Sequence, residues 1–320
     1  MDSARRGTAS RTPEPRGESM DQALDRPDMS FAAKARRAVL WRALKLLRAA
    51  GILPEPAHLL GYIGYLRHVQ NLLETGERNN PDHLVGAFLT PLERLLARAE
   101  DVERARAYAL YHYVLARTRH YDRILEHALA AGVRQIMFVG AGTDTRAFRF
   151  RDAIDRAGAC VVETDLEPWI STRIAKSRPL PKPAAFHQRA FDLEADDLEA
   201  WTSGPHFRRD LPTLIVAEGV TPYITPAAHE TLMRLARDFT PAGSRLAWDG
   251  KYVPAASGID GGADAGRFRM PRDPDALRAI VEGAGLAFVA ATPSAAAQRA
   301  FAPYPAPVFE EDVFLEARVR

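Results

Sequence analysis

The run Gln135-Ile136-Met137-Phe138-Val139, followed at once by Gly140-Ala141-Gly142, constrains this chain more than any other stretch. A short apolar run that stops at a glycine pair reads as a buried strand entering a tight turn. Glycines there let the backbone approach a ligand closely and adopt φ values that a side chain forbids. Further candidate strands follow at Cys160–Thr164, Ala185–Phe191, Thr213–Glu218, Arg245–Asp249, Leu286–Ala291 and Val313–Val319. Helical patterns fall between them, notably Pro168–Arg178, Ala227–Phe239 and Pro274–Gly283. Strand–helix alternation at this spacing predicts a doubly wound, mostly parallel sheet. Only a loop is read between the last two strands, over 292–312, so they are expected to pair antiparallel at the sheet edge. In such a sheet the ligand crevice lies beyond the carboxyl ends of the strands, where the glycine turn sits.

Before the first strand the pattern is helical from about His58 to Ala131, ending in a long stretch from Val102 to Ala130. Residues 1–29 are rich in Arg, Ser, Pro, Asp and Glu, with little to bury, and read as disordered. Ser30 is placed to cap a helix running to about Ala50. Val39, Leu40, Ala43, Leu46, Leu47 and Ala50 share one face of it, and Lys34, Arg37, Arg42, Lys45 and Arg48 the other. Residues 1–50 carry 11 Lys/Arg against 6 Asp/Glu, which leaves the rest of a +2 chain slightly acidic. A dedicated nucleic-acid domain would instead show a basic stripe on its folded part. The single cysteine, Cys160, allows no intrachain disulfide and fits a reducing compartment. No apolar run approaches the ~20 residues that span a bilayer, and the N-terminus lacks a signal-peptide core. The expectation is a cytoplasmic protein with no stable membrane insertion, no nucleic-acid partner and no metal.

Two ligand classes compete for the turn. A dinucleotide fingerprint, G-x-G-x-x-G, requires a third glycine for helix–strand packing beside a pyrophosphate. Thr145 occupies that position, and Asp144 adds a negative charge where the pyrophosphate would lie. Both disfavour NAD. An acidic loop suits a cationic or hydroxyl-bearing ligand better.

The longer string V-G-A-G-T-D-T-R, Val139 to Arg146, resembles the signature of the leucine carboxyl methyltransferase family. These are class I S-adenosylmethionine (SAM) enzymes that include bacterial polyketide O-methyltransferases. A-R-T-R-H-Y-D (Ala116–Asp122), E-T-D-L (Glu163–Leu166), Asp192-Leu193 and A-E-G-V-T-P-Y (Ala217–Tyr223) follow in the family's order. P-A-G-S-R-L (Pro241–Leu246) and the segment Pro274–Gly285 are also similar, so the likeness runs from roughly Leu59 to the C-terminus. It implies an α/β, Rossmann-like fold with a seven-stranded, mostly parallel sheet, an antiparallel edge strand and an N-terminal helical cap. The implied division is a disordered segment 1–29, a helical region 30–118 and a SAM-binding core 119–320.

The resemblance also implies roles. Arg117 would clamp the α-carboxylate of SAM, a geometry suited to the guanidinium fork. Gly140 and Gly142 would lie against its methionyl part. Asp165 would bind the ribose hydroxyls, and Glu163 points the same way if strand side chains repeat every two residues. Asp192 with the Leu193 backbone resembles the adenine-binding pair, although Asp192 also reads as a helix cap for the acidic segment Glu194–Glu199. Glu218 resembles a family residue near the cofactor. Tyr223 reads equally as an acceptor-pocket residue and as an ordinary packed tyrosine.

Two positions depart from the family pattern: Thr143, where a large apolar residue is usual, and Gly61, where eukaryotic members carry a basic one. The second argues against a protein phosphatase methyltransferase. The implied activity is O-methylation of a carboxylate or hydroxyl of a small metabolite. Alternatives are methylation of a peptide or protein C-terminal carboxylate, and SAM binding without turnover. A carboxylate acceptor is ionised at neutral pH and needs no base, whereas a phenol profits from one. His112, His120, His187, His206 and His229 are available by type, but no spacing singles one out, and most of them read as surface histidines. No catalytic base is assigned. The stretch Lys251–Arg272, with Gly258, Gly261, Gly262, Gly266, Arg267, Arg269 and Arg272, reads equally as a lid over an acidic acceptor and as a mobile insertion without contact to one.

Overall fold

The computed structural model describes residues 109–253, 267–301 and 307–320, together with Leu84 and Phe88. The expectations for 1–29, for the basic helix 30–50, for most of the helical region up to 98, for Gly61 and for the glycines of 258–266 lie outside the described residues.

Helix α1 (Ala109–Ala130) leads through Gly132 into β1 (Gln135–Val139). Two short helices, α2 (Arg146–Arg149) and α3 (Arg151–Arg156), connect it to β2 (Cys160–Asp165). Next come α4 (Trp169–Ser177), β3 (Phe186–Ala190), α5 (Leu198–Thr202) and β4 (Thr213–Ala217). A 3-10 turn at Thr221–Tyr223 precedes α6 (Pro226–Phe239), β5 (Arg245–Lys251) and α7 (Pro274–Gly283). The chain closes with β6 (Ala287–Pro293), α8 (Ser294–Phe301) and β7 (Asp312–Arg318).

The helix starts follow from capping chemistry. Thr225 accepts from the Ala228 N–H and is followed by Pro226 at the first helical position of α6. Asp273 and Pro274 repeat the arrangement at α7. Asp197, rather than Asp192, caps α5 by accepting from the Glu199 and Ala200 N–H groups. The acidic segment therefore becomes helical only at Leu198.

The seven strands form one sheet in the order β3-β2-β1-β4-β5-β7-β6. The first five in this order pair parallel. Strand β7 runs antiparallel to both neighbours and enters between β5 and the edge strand β6. The sequence placed a loop between β6 and β7, whereas part of that segment is α8, which packs on α1. Strands β1 and β4 lie in the middle and are buried along their whole length, as parallel strands covered on both faces are.

The period-2 alternation divides the core. Met137, Val139, Ile215, Leu246 and Trp248 face α5, α6 and α7 on one side of the sheet. Ile136, Phe138, Leu214, Val216 and Ala247 face α1, α2 and α3 on the other. The order of the strands reverses between β1 and β4, so a crevice opens beyond their carboxyl ends. Among the described residues no helix is long and apolar enough to cross a membrane.

Candidate functional site

The turn after β1 is built by two left-handed glycines, Gly140 at φ +63° and Gly142 at φ +43°. A Cβ at Gly140 would lie 2.6 Å from Val220 Cγ2, so the turn after β4 packs directly on the turn after β1. The Ala141 N–H donates to the Thr164 carbonyl at 2.8 Å, and the Gly142 N–H to Asp165 Oδ2 at 2.8 Å. Asp165 Oδ1 accepts from the Leu166 N–H at 2.9 Å. Asp165 thus stands at the end of β2, oriented by two backbone donors, with its carboxylate beside the glycine turn. Asp144, read as a bare negative charge in the loop, is neutralised locally. Its Oδ1 accepts from the Arg146 N–H at 2.7 Å, and its Oδ2 lies 2.6 Å from Arg146 Nη1.

A chain of alternating charges runs behind this turn. Arg117, on α1, donates from Nε to Glu218 Oε1 at 2.8 Å, and its Nη1 lies 3.4 Å from Asp249 Oδ2. Glu218, just past β4, meets Arg146 Nη1 with its other oxygen at 2.5 Å. Arg146 Nε lies 2.9 Å from Asp122 Oδ1, and Arg149 binds both oxygens of Asp122 at 2.6 Å. Arg146 is almost fully buried. Burial works against its charge, but the carboxylates of Asp144, Glu218 and Asp122 outweigh that and raise its pKa above the ordinary arginine range. Arg117 keeps 23% of its side chain exposed, its guanidinium packs over Gly219, and its Nη2 makes no hydrogen bond to the described residues. This arginine is held by carboxylates through Nε and Nη1 and keeps Nη2 outside its hydrogen bonds to the described residues, so its guanidinium could hold an anionic group.

Asp249, in the second half of β5, takes part although the sequence reading named it only as the end of a strand. Its only sequence signal is an acidic residue directly after the buried Leu246-Ala247-Trp248. Burial pushes its carboxyl up to about 7, with Arg117 opposing and Asp312 and Glu218 reinforcing the shift. Its Oδ1 accepts from the Gly219 N–H at 2.7 Å.

Glu163 does not share the place at the crevice expected alongside Asp165. It is buried, bonded to Arg173 of α4, and accepts from Gln188 Nε2 at 2.8 Å. Arg173 also donates to the carbonyls of Gly142 at 2.8 Å and Asp144 at 2.7 Å. The pair therefore braces the glycine turn from behind and leaves no acid there for a ligand. Arg173 was not legible as a site residue: it shows only as one arginine on an ordinary helix.

Asp192 forms a tight turn, its Oδ1 accepting from the Glu194 N–H at 2.8 Å, and Leu193 is buried in the core. Both follow β3, on the flank of the crevice where Leu166 is exposed and Trp201 Nε1 donates to the Ala190 carbonyl at 2.9 Å. Tyr223 is 56% exposed in the 3-10 turn, which excludes the packed-tyrosine alternative. Arg267 donates to the Tyr223 carbonyl, Arg269 to the Pro222 carbonyl at 3.4 Å, and the Phe268 N–H to the Ile224 carbonyl at 2.9 Å. These contacts dock the 267–270 segment on the turn.

The histidines correct an expectation. His112, His120, His206 and His229 are buried, and of the five named only His187 is exposed. Aromatic packing explains the burial: His120 stacks on Phe314 at 4.8 Å, His229 on Phe268 at 3.7 Å, and His206 meets Trp201 edge-on at 4.6 Å. Burial lowers the pKa of His120 and of His229 to about 4.

Residues 82–236 match the family profile described as leucine carboxyl methyltransferase. A Mycobacterium sp. (strain KMS) protein, provisionally named an S-adenosyl-L-methionine-dependent methyltransferase, is 36% identical over 140 residues, 42% of this chain and 43% of that protein. A Streptomyces coelicolor protein of the same provisional name is 29% identical over 184 residues, 55% of this chain and 63% of that one. The chain therefore spans about half the length of the curated relatives it matches. Among solved structures, a provisionally named methyltransferase from Thermobifida fusca YX superposes with a TM-score of 0.48 at 15% identity, over 74% of this chain and 93% of that one.

Proposed function

We propose that this chain, whose residues 82–236 match the leucine carboxyl methyltransferase profile, is a member of that family and a SAM-dependent O-methyltransferase acting on a carboxylate or hydroxyl of a small-molecule acceptor. The observation that carries the reading is Arg117. It is held by Glu218 and Asp249, and its guanidinium packs over Gly219, in the turn whose Val220 packs on Gly140. The donor set fits the group: a guanidinium for a carboxylate, a glycine cradle for an extended chain, and an oriented carboxylate at Asp165 for a ribose diol. Asp192 and the Leu193 backbone stand at the next strand end, where an adenine edge is recognised. Glu218 acts through Arg117, because both of its oxygens are already engaged.

When bound, SAM supplies an electrophilic methyl group on a sulfonium. The residues then have to align an acceptor oxygen in line with that methyl and keep water out, which needs no strong base if the acceptor is a carboxylate. The burial of His112, His120, His206 and His229 supports a carboxylate over a phenol, since none of them is exposed to an acceptor. Tyr223 and the docked 267–270 segment form the acceptor side of the crevice in this reading, with Arg267 and Arg269 as the lid's cations.

Methyl-labelled SAM incubated with the protein and a pool of acidic and hydroxylated metabolites tests the proposal. A labelled product whose methyl is released by mild alkali identifies an ester, and an alkali-stable product is assigned as ether, N-methyl or C-methyl by its mass spectrum and NMR. Tight SAM binding with no labelled product from any pool would contradict an enzymatic role.

A further inference from the structure

The Arg117 guanidinium is shared between two carboxylates, Glu218 and Asp249. Glu218 takes its Nε, and Glu218 in turn has a second arginine, Arg146, on its other oxygen. Asp249 has no such reserve. It is 1% exposed, its Oδ1 is bonded to the Gly219 N–H, and its Oδ2 meets Arg117 Nη1 at the longer distance of 3.4 Å.

The other groups facing Asp249 do not replace that cation. From α1, the Tyr113 hydroxyl is committed to Asp312, and the Tyr121 hydroxyl makes no hydrogen bond to the described residues. From the end of β4, Glu218 adds negative charge, and from β7 Asp312 does the same. On β5 itself, Lys251 is turned to Glu311 at 3.2 Å and to Asp312 at 3.5 Å. A further anion on Arg117 therefore competes with Asp249 first.

We propose that Asp249 is a proton-linked positioning residue: ionised, it holds Arg117 and the Gly219 turn, and it takes up one proton from solvent when Arg117 engages an anionic ligand group. Protonation leaves the Gly219 bond on Oδ1 in place and releases the guanidinium from Oδ2. The carboxyl sits at about 7 before any ligand arrives, so the exchange falls in the neutral range. A proton gained on binding means that affinity weakens as pH rises above that value. The inference rests on the reading that Arg117 receives the carboxylate of SAM.

Calorimetric titration with S-adenosylhomocysteine, which carries the same carboxylate, provides the test. Titrations run at pH 7.0–8.5 in phosphate and in Tris, whose ionisation heats differ. The wild type is expected to give a buffer-dependent enthalpy reporting uptake of a sizeable fraction of a proton. Its Kd should rise roughly three- to tenfold across the range. In Asp249→Asn, which keeps an acceptor for Gly219, Kd should change less than about twofold and the extra uptake should vanish. Equal uptake in both proteins, or none in the wild type, overturns the inference; the wild-type result alone decides it if the variant fails to fold. Binding at wild-type affinity in Arg117→Ala overturns the Arg117 reading itself, whatever the proton count.

Discussion

Arg173 and Glu163 form an ion pair with both side chains almost wholly buried, and Arg173 also holds the carbonyls of Gly142 and Asp144. Removing one member of such a pair leaves an uncompensated charge in the interior, at a cost of about 3–5 kcal/mol. Arg173→Met is therefore expected to lower unfolding stability by that order in denaturant titrations and to loosen the glycine turn. Adding Glu163→Gln should restore more than half of the loss, because the stranded charge disappears. If the single substitution is neutral, the pair does not brace the turn. Strand periodicity suggested that Glu163 and Asp165 face alike, and they do not serve alike. Asp165 ends the strand at the crevice, while Glu163 lies one pleat deeper, where a residue from α4 reaches it. Periodicity gives the face of a strand but not the depth along it, so this fate was not legible from spacing. The same holds for Asp249, whose partners come from α1 and from the turn after β4.

The turn after β1 depends on contact with another turn as well as on its own φ angles. Gly140→Ala combines a left-handed residue, at about 1–2 kcal/mol, with a contact at 2.6 Å to Val220. The variant should melt well below the wild type. Val220→Ala in the same background should recover the steric part and leave the backbone part. Full recovery would mean that φ costs nothing here, and no recovery would mean that the contact is unimportant. Elements with strong local signals are legible in the sequence: α7 appears at Pro274–Gly283 and β2 at Cys160–Asp165, close to their expected bounds. Helix α8 escapes such a reading because it is only eight residues long and lies in a proline-rich stretch, with Pro293 before it and Pro303 after it, although its alanines favour helix. The insertion of β7 between β5 and β6 is a choice of tertiary pairing that no local pattern encodes.

Across the whole molecule, burial of polar rings couples the fold to pH. His120 and His229 are held neutral, with pKa values lowered to about 4 from an ordinary 6.5. The folded state thus binds fewer protons than the unfolded chain between those values, so their contribution is present above pH 6.5 and is lost as pH falls toward 4. Denaturant unfolding should show stability declining by a few kcal/mol between pH 6.5 and 4.5, because each tenfold loss of proton affinity on folding is worth ~1.4 kcal/mol. In His120→Phe/His229→Phe that slope should flatten. An equal slope in both proteins would place the acid sensitivity elsewhere. Composition could not reveal this burial, because a histidine in sequence carries no sign of the phenylalanine it stacks on. The glycine turn, Asp165 and Glu218 stand out in the sequence because they lie in contiguous strings at strand ends, and Arg117 because it lies in a contiguous string on α1. The groups that orient them are scattered over five elements and became apparent only when the sheet brought them together.

The central claim is that this crevice holds SAM through Arg117 and Asp165. Parallel equilibrium titrations of the full chain with S-adenosylhomocysteine and with NADH test it most directly. The expected result is saturable, one-to-one binding of S-adenosylhomocysteine, weakened at least tenfold in Arg117→Ala and in Asp165→Ala, with no comparable binding of NADH. Preferential binding of NADH, or S-adenosylhomocysteine affinity unchanged in both variants, would contradict it.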